Sequence, residues 1–260
     1  MKINFFKSIT VISVFILLTS SCVSKKSVVY LQQGTGIQKD TVTSKYEPKL
    51  QPDDILTIVI SSENPEAAIP YNQMLVALQN NSATIAQPSL QSYLIDKDGN
   101  VEFPILGKLK IGGLTRIEAI NKIKSLLELH IKEPYVNIRI LNFKVSVIGE
   151  VNRPGSFSIQ SERITILEAL SLAGDLTIYG NRNSILIIRD NEGLKTITKV
   201  DITKRDFINS EYYYLSQNDQ IYVEPNKTKA NASVIGPDVT VAFSALSILV
   251  TILALTIKFK

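Results

Sequence analysis

Between Lys144 and Phe157, apolar and polar positions alternate, break at a turn, and alternate again. Val145, Val147 and Gly149 interleave with Ser146, Ile148 and Glu150, a period of two that predicts a strand with a buried face. Asn152, Pro154 and Gly155 interrupt it, since proline fixes φ and lacks a donor while glycine tolerates positive φ. Ser156, Phe157 and Ile159 resume the extended pattern, so the stretch predicts a hairpin with Pro154 and Gly155 as its structural turn. The period then changes. Thr165-Ile-Leu-Glu168 has the capping-box spacing and opens a short apolar helix ending near Gly174.

The same grammar runs upstream. Pro52-Asp53-Asp54 predicts a turn, and Ile55 to Ile60 a mostly buried strand. Residues 62–90 lack a clear period and predict a long, partly ordered insertion. Tyr93 to Pro104 predicts a hairpin about Asp98-Gly99. Thr115-Arg-Ile-Glu118 is a second capping box, followed by Ile117, Ile120, Ile123, Leu127 and Ile131 at helical spacing, with Pro134 beyond. Val136, Ile138 and Ile140 alternate as a strand. Later strands are predicted over 184–188, 194–202 and 220–223, with a turn at Asn191-Glu192-Gly193.

The two ends of the chain read differently. Lys2 and Lys7 precede an apolar run from Ile9 to Leu18, and small residues lead to Cys22, the pattern of a secretory leader. Leu-Leu-Thr-Ser-Ser-Cys22 resembles a lipoprotein signal, although Thr19 stands where leucine is commoner. Cys22 is thus the expected lipidation site, the alternative being an ordinary leader followed by a free thiol. From Val239 to Ile257 no residue is charged, and Asp238 and Lys258 bound the run. At about 1.5 Å per residue this is roughly one hydrocarbon thickness. Gly236-Pro237-Asp238 is a sound helix start. Thr240, Ser244, Ser247, Thr251, Ala254 and Lys258 recur at alternating spacings of four and three, a narrow stripe on an otherwise apolar helix. Such a stripe suits a wetted lumen or close helix packing, the alternative being a single anchor whose hydroxyls bond their own backbone.

Composition narrows the function. The chain has 260 residues, room for two small domains. Without the leader's Lys2 and Lys7, 26 basic residues face 24 acidic ones, so a nucleic-acid partner is not expected. One cysteine permits no intramolecular disulfide. Asp53-Asp54 suggests turn capping rather than metal or acid–base work, since no histidine or third carboxylate lies nearby. Gly112-Gly113 lacks the lysine and hydroxyl sequel of a phosphate loop. His130 has no cluster around it and reads as structural. Tyr212-Tyr213-Tyr214 admits sugar stacking or plain strand packing. No catalytic residue, metal site or cofactor is expected, and no enzyme.

Val145–Gly155 (VSVIGEVNRPG), Thr165–Gly174 (TILEALSLAG) and Ile187–Asp190 (IIRD) resemble the SLBB domain, a soluble-ligand-binding β-grasp, of Wza-type outer-membrane polysaccharide export lipoproteins. Tyr46–Ile60 and Asp98–Ala119 are similar to that family's polysaccharide export domain. The resemblance implies an α+β fold: a polysaccharide export domain, a β-grasp-like SLBB domain and a C-terminal transmembrane helix. The expected organisation is a lipoprotein signal peptide over 1–21, a polar tether over 22–44, the export domain over 45–142 and the SLBB domain over 143–225. A linker over 226–236 and the helix over 237–260 complete it. The implied function is export of capsular or exopolysaccharide by a homo-oligomeric translocon at the outer membrane, with periplasmic main domains. Its partners are the polysaccharide chain, further copies of the protein and an inner-membrane polysaccharide co-polymerase. The candidate lumen or helix-packing stripe is Thr240, Ser244, Ser247 and Thr251. The rival from another class is a periplasmic sugar-binding or scaffold lipoprotein with one anchor and no pore.

Overall fold

Two hydrophobic cores divide the chain, and the strand Tyr135–Ile140 carries it from one towards the other. The structure is a computed structural model that describes residues 28–32, 48–75, 89–191, 193–234 and 237–258. The predicted leader and Cys22 lie outside the described residues.

The first core forms around β1 (Ile55–Ser61), whose Leu56, Ile58 and Ile60 are buried at every second position. Helix α1 (Pro65–Ala68) follows, then a short 3-10 turn that buries Tyr71. Asn72 caps this corner, accepting from the Ile60 N–H and donating to the Ile60 carbonyl. The start of the predicted insertion is therefore packed against the domain. Strands β2 (Met74–Leu75) and β3 (Ser89–Leu90) pair with each other. Next, β4 (Ser92–Leu94) pairs with one edge of β1.

The Asp98-Gly99 turn is present, with Gly99 at φ 80° and the Asp96 carboxylate accepting the Asp98 and Asn100 N–H groups. The predicted hairpin is not. The strand leaving the turn, β5 (Asn100–Phe103), pairs with β6 (Gly107–Lys110), while β4 stays with β1. The register puts Val101 opposite Leu109, and both are buried, so this pairing satisfies the apolar pattern of the segment.

Helix α2 (Arg116–Leu127) begins with both reciprocal bonds of the capping box. It buries Ala119, Ile123 and Leu127, whereas the predicted stripe member Ile117 is exposed. Beyond it, β7 (Tyr135–Ile140) returns to the other edge of β1, giving a three-stranded antiparallel sheet in the order β4-β1-β7.

The second core lies under a five-stranded sheet, β11-β10-β12-β8-β9. The predicted hairpin is β8 (Lys144–Gly149) with β9 (Gly155–Ser158), in a register that sets Val147 opposite Gly155. Helix α3 (Ile166–Leu172) starts with the second complete capping box and packs Ile166, Ala169 and Leu170 inward. Strand β10 (Gly180–Asn191) pairs antiparallel with β11 (Leu194–Val200) and β12 (Gln220–Pro225), and β12 joins β8 in parallel. The whole is a mixed α+β fold.

Three expectations change. The predicted linker holds a helix, α4 (Lys227–Val234), in which Asn226 Oδ1 accepts the Lys229 N–H. The tether is not wholly free, because Leu31 and Gln32 donate to the carbonyls of Ile202 and Thr203, and Tyr30 and Leu31 pack on the second core. Finally, α5 (Pro237–Lys258) forms over 22 residues. Among the residues described, however, no helix is long and apolar enough to cross a membrane. The α5 side chains described are those of 241–249, 251 and 252, where a span needs about twenty residues.

Candidate functional site

The Gly149-Glu150 step at the end of β8 holds the C-terminal arm to the second domain. Gly149 has φ 91°, and a β-carbon there would lie 2.2 Å from the Val223 carbonyl oxygen. Only glycine allows β8 and β12 to approach so closely while the Glu150 N–H donates to that same carbonyl at 2.9 Å. Gly155 has no such need: its φ lies outside the left-handed region, and the nearest atom to a β-carbon would be the Phe157 ring at 3.8 Å. The tolerance of positive φ that glycine brings to the Pro154-Gly155 turn is therefore not used at Gly155. The constraint sits six residues earlier, set by a strand far along the chain.

Glu150 then gathers distant partners. The Thr177 hydroxyl donates to its Oε1 at 2.6 Å, and Lys229 on α4 approaches Oε2 at 3.1 Å. Thr177 first, and Lys229 with it, hold this carboxyl below the usual range. Lys229 also lies over the Tyr179 ring, and the Asn226 N–H donates to the Tyr179 carbonyl at 2.7 Å. The helix leading to α5 is thus fastened at its first turn.

The N-terminal segment docks on the same domain. The Tyr30 hydroxyl donates to Asp175, and Arg182 stacks on the Tyr30 ring. Burial, followed by the neighbouring carboxylate, raises the Tyr30 pKa. The described segments 28–32 and 226–229 therefore both attach to the second domain.

The two domains are tied through Asn142. Its Oδ1 accepts the Ile55 N–H, its Nδ2 donates to the Asp53 carbonyl, and its own carbonyl accepts from Gln217, each at 2.8–2.9 Å. The Asp53-Asp54 pair lies at this joint. Asp53 adopts φ 68° in the turn, and Asp54 caps it by accepting the Gln51 N–H at 2.8 Å. Asp54 is fully buried, and its other oxygen has no hydrogen-bond partner among the described residues. Burial raises its pKa to about 6, against the lowering effect of Gln51.

A second buried carboxylate, Asp219, holds Arg189 in a two-pronged pair at 2.7 and 3.0 Å and accepts the Ser216 N–H. Burial pushes its pKa up while Arg189 pulls it down, and the net shift is upward. Arg189 also stacks on Tyr212. Tyr213 meets Phe207 and Tyr214 edge to face, and Arg163 lies over Tyr214. The three tyrosines are half-buried packing groups, with faces already engaged. His130 is exposed just beyond α2. Among the described residues no His, Cys, Asp and Glu cluster could hold a metal.

On α5, the Ser247 hydroxyl donates to the Ser244 carbonyl and the Thr251 hydroxyl to the Ser247 carbonyl, both at 2.8 Å. The side chain of Thr240, the first member of the stripe, lies outside the described residues. Val241, Phe243, Leu246, Ile248, Leu249 and Ile252 are all more than half exposed.

Comparison with known proteins agrees with this two-domain layout. The family described as polysaccharide biosynthesis/export protein matches residues 42–141, and the SLBB domain matches residues 143–223. The EPS I polysaccharide export outer membrane protein EpsA of Ralstonia solanacearum is 26% identical over 197 residues, 74% of this chain and 52% of that protein. Its namesake from Ralstonia nicotianae is 32% identical over 141 residues, 52% of this chain and 37% of that protein. The chain spans about half or less of the length of these curated relatives. With an export domain followed directly by an SLBB domain, the chain belongs to the polysaccharide export family of the Wza type.

Proposed function

We propose that this chain is a subunit of a homo-oligomeric conduit that carries capsular or exopolysaccharide across the outer membrane. The observation that carries the reading is α5, whose described large apolar side chains stand exposed on a helix fastened to the body through α4. An apolar surface of this kind needs lipid or other copies of itself to cover it. A single helix cannot enclose a pore, but a ring of them satisfies every backbone group in lipid and turns one stripe inward. The uncharged run from Val239 to Ile257 supplies the length.

The N-terminal attachment is consistent with this placement. Six positions separate Cys22 from Val28, at most about 22 Å of extended chain, so an acyl group on Cys22 would enter the membrane close to the second domain. The second domain would then face the membrane and the first would hang into the periplasm. There it is available to an inner-membrane co-polymerase, where polymerisation and energy supply belong. The family is one of export rather than catalysis.

A single-anchor scaffold remains the second reading, favoured by the in-helix bonds of Ser247 and Thr251, which an isolated lipid-facing helix requires. Electron microscopy of detergent-extracted particles separates the two. Closed rings with a central opening are expected, and monomers or dimers would overturn the conduit.

A further inference from the structure

Between the domains, beside the start of α2 and the end of β7, lies a cleft of about 360 Å³, within the usual range for small-ligand sites. Arg116, Arg139 and Arg163 line it against one carboxylate, Glu162. Arg116 is spoken for, since its Nη2 meets Glu162 at 3.2 Å. Arg163 is held by the Tyr214 ring, 5.1 Å from its guanidinium carbon, a contact that fixes its plane without consuming its N–H fork. Arg139 has no carboxylate partner among the described residues. Two guanidinium groups are thus uncompensated around one concave space, in a chain whose overall charge is nearly balanced. The rest of the wall includes apolar surface, with Ile117 46% exposed at the mouth and Ile140 half-buried.

We infer that this interdomain cleft binds a carboxylate-bearing sugar residue, such as a hexuronate, through Arg139 and Arg163. A guanidinium fork matches a carboxylate in two parallel bonds, and the C–H face of a pyranose suits the isoleucine wall. A bare phosphate would use the arginines and leave that wall idle. A neutral sugar would leave both charges unanswered. The inference rests on the export reading for the origin of the sugar, namely an acidic residue of the exported polymer. The cleft admits only a short piece of chain, so it acts as a way-station rather than a track. Traffic through a conduit requires such holds to be weak enough to release.

The test uses the full chain in detergent, titrated calorimetrically with trigalacturonate, with maltotriose as a neutral sugar of equal length and inorganic phosphate as a bare anion. Arg139→Gln and Arg163→Gln should each weaken trigalacturonate binding about tenfold, the effect of losing one charged hydrogen-bonding partner. Lys195→Gln, an exposed lysine on β11 outside the cleft, should leave it unchanged. Maltotriose binding as tightly as trigalacturonate, phosphate competing equally well, or Lys195→Gln matching the arginine changes would each overturn the site. So would an Arg139→Gln variant that broke up the oligomer but bound trigalacturonate normally, since the cleft would then be a contact between copies. Ring-shaped particles that ignore trigalacturonate sink the site alone. A protein that binds it as expected but forms no ring sinks the export reading and leaves the site standing.

Discussion

At the scale of single residues, positions that look alike in sequence carry very different constraints. Gly149 and Gly155 flank one hairpin, but only Gly149 combines positive φ with a carbonyl where its β-carbon would be. Gly149→Ala is expected to cost about 2–4 kcal/mol and Gly155→Ala under about 1 kcal/mol, read as shifts in the chemical denaturation midpoint. Equal shifts would show that the close approach to Val223 is not limiting. Asp54 gives a pH signature. Its folded pKa of about 6 lies above the ordinary carboxylate value, so the folded state holds a proton that the unfolded chain releases. Stability from this group is present at about pH 4 and is lost as pH rises towards 6. Asp54→Asn keeps an acceptor for the Gln51 N–H and removes the buried charge. It should therefore raise stability by about 1–3 kcal/mol at neutral pH and do little at about pH 4. Thermal melts of both proteins across that range check it, and a constant difference would exclude Asp54 as the titrating group.

At the scale of elements, the sequence was most readable where both partners of an interaction lie within one turn. Thr115 with Glu118 and Thr165 with Glu168 are such cases, and both capping boxes close as the spacing predicts. Legibility failed where the partner is remote. The Asp98-Gly99 turn was plain, yet nothing local says that β4 belongs to β1 and β5 to β6. The docking of Tyr30 on Asp175 was equally hidden, because the segment before it is polar and lacks a period. The Arg139–Arg163 cleft had no motif either, being assembled from a strand of one domain and a loop of the other. For α5, the periodic stripe was legible but its neighbours were not. If that stripe faces a lumen or an adjacent helix, Ser244→Leu or Ser247→Leu should reduce surface polysaccharide while protein level and membrane fractionation stay unchanged. A simple anchor tolerates both, since added leucine only makes it more apolar. Leucine across the stripe with export intact would remove the helix-lined conduit.

For the whole molecule, both terminal arms converge on the second domain, Tyr30–Gln32 at one site and Asn226–Lys229 at another. On the proposed reading, membrane placement depends on two attachments to one body. Cys22→Ser should abolish acyl labelling and shift part of the protein out of the outer-membrane fraction, while the retained α5 keeps it membrane-associated. Unchanged mass and unchanged fractionation would remove the lipid anchor.

Asn142 carries a consequence for anyone cutting the chain. The two family matches end at residue 141 and resume at 143, so this asparagine belongs to neither. Its side chain nevertheless closes the Asp53–Ile55 corner of the first domain, and its carbonyl receives Gln217 of the second. A first-domain fragment ending at 141 would strand the Ile55 N–H and the Asp53 carbonyl, each at about 1–3 kcal/mol if left without a partner. A second-domain fragment starting at 143 would likewise strand the Gln217 Nε2 donor, while its Oε1 would still accept the Lys144 N–H. Fragments meant to fold alone should overlap by this residue, and a hybrid that replaces either domain of this chain must keep Asn142 along with both of the surfaces it serves.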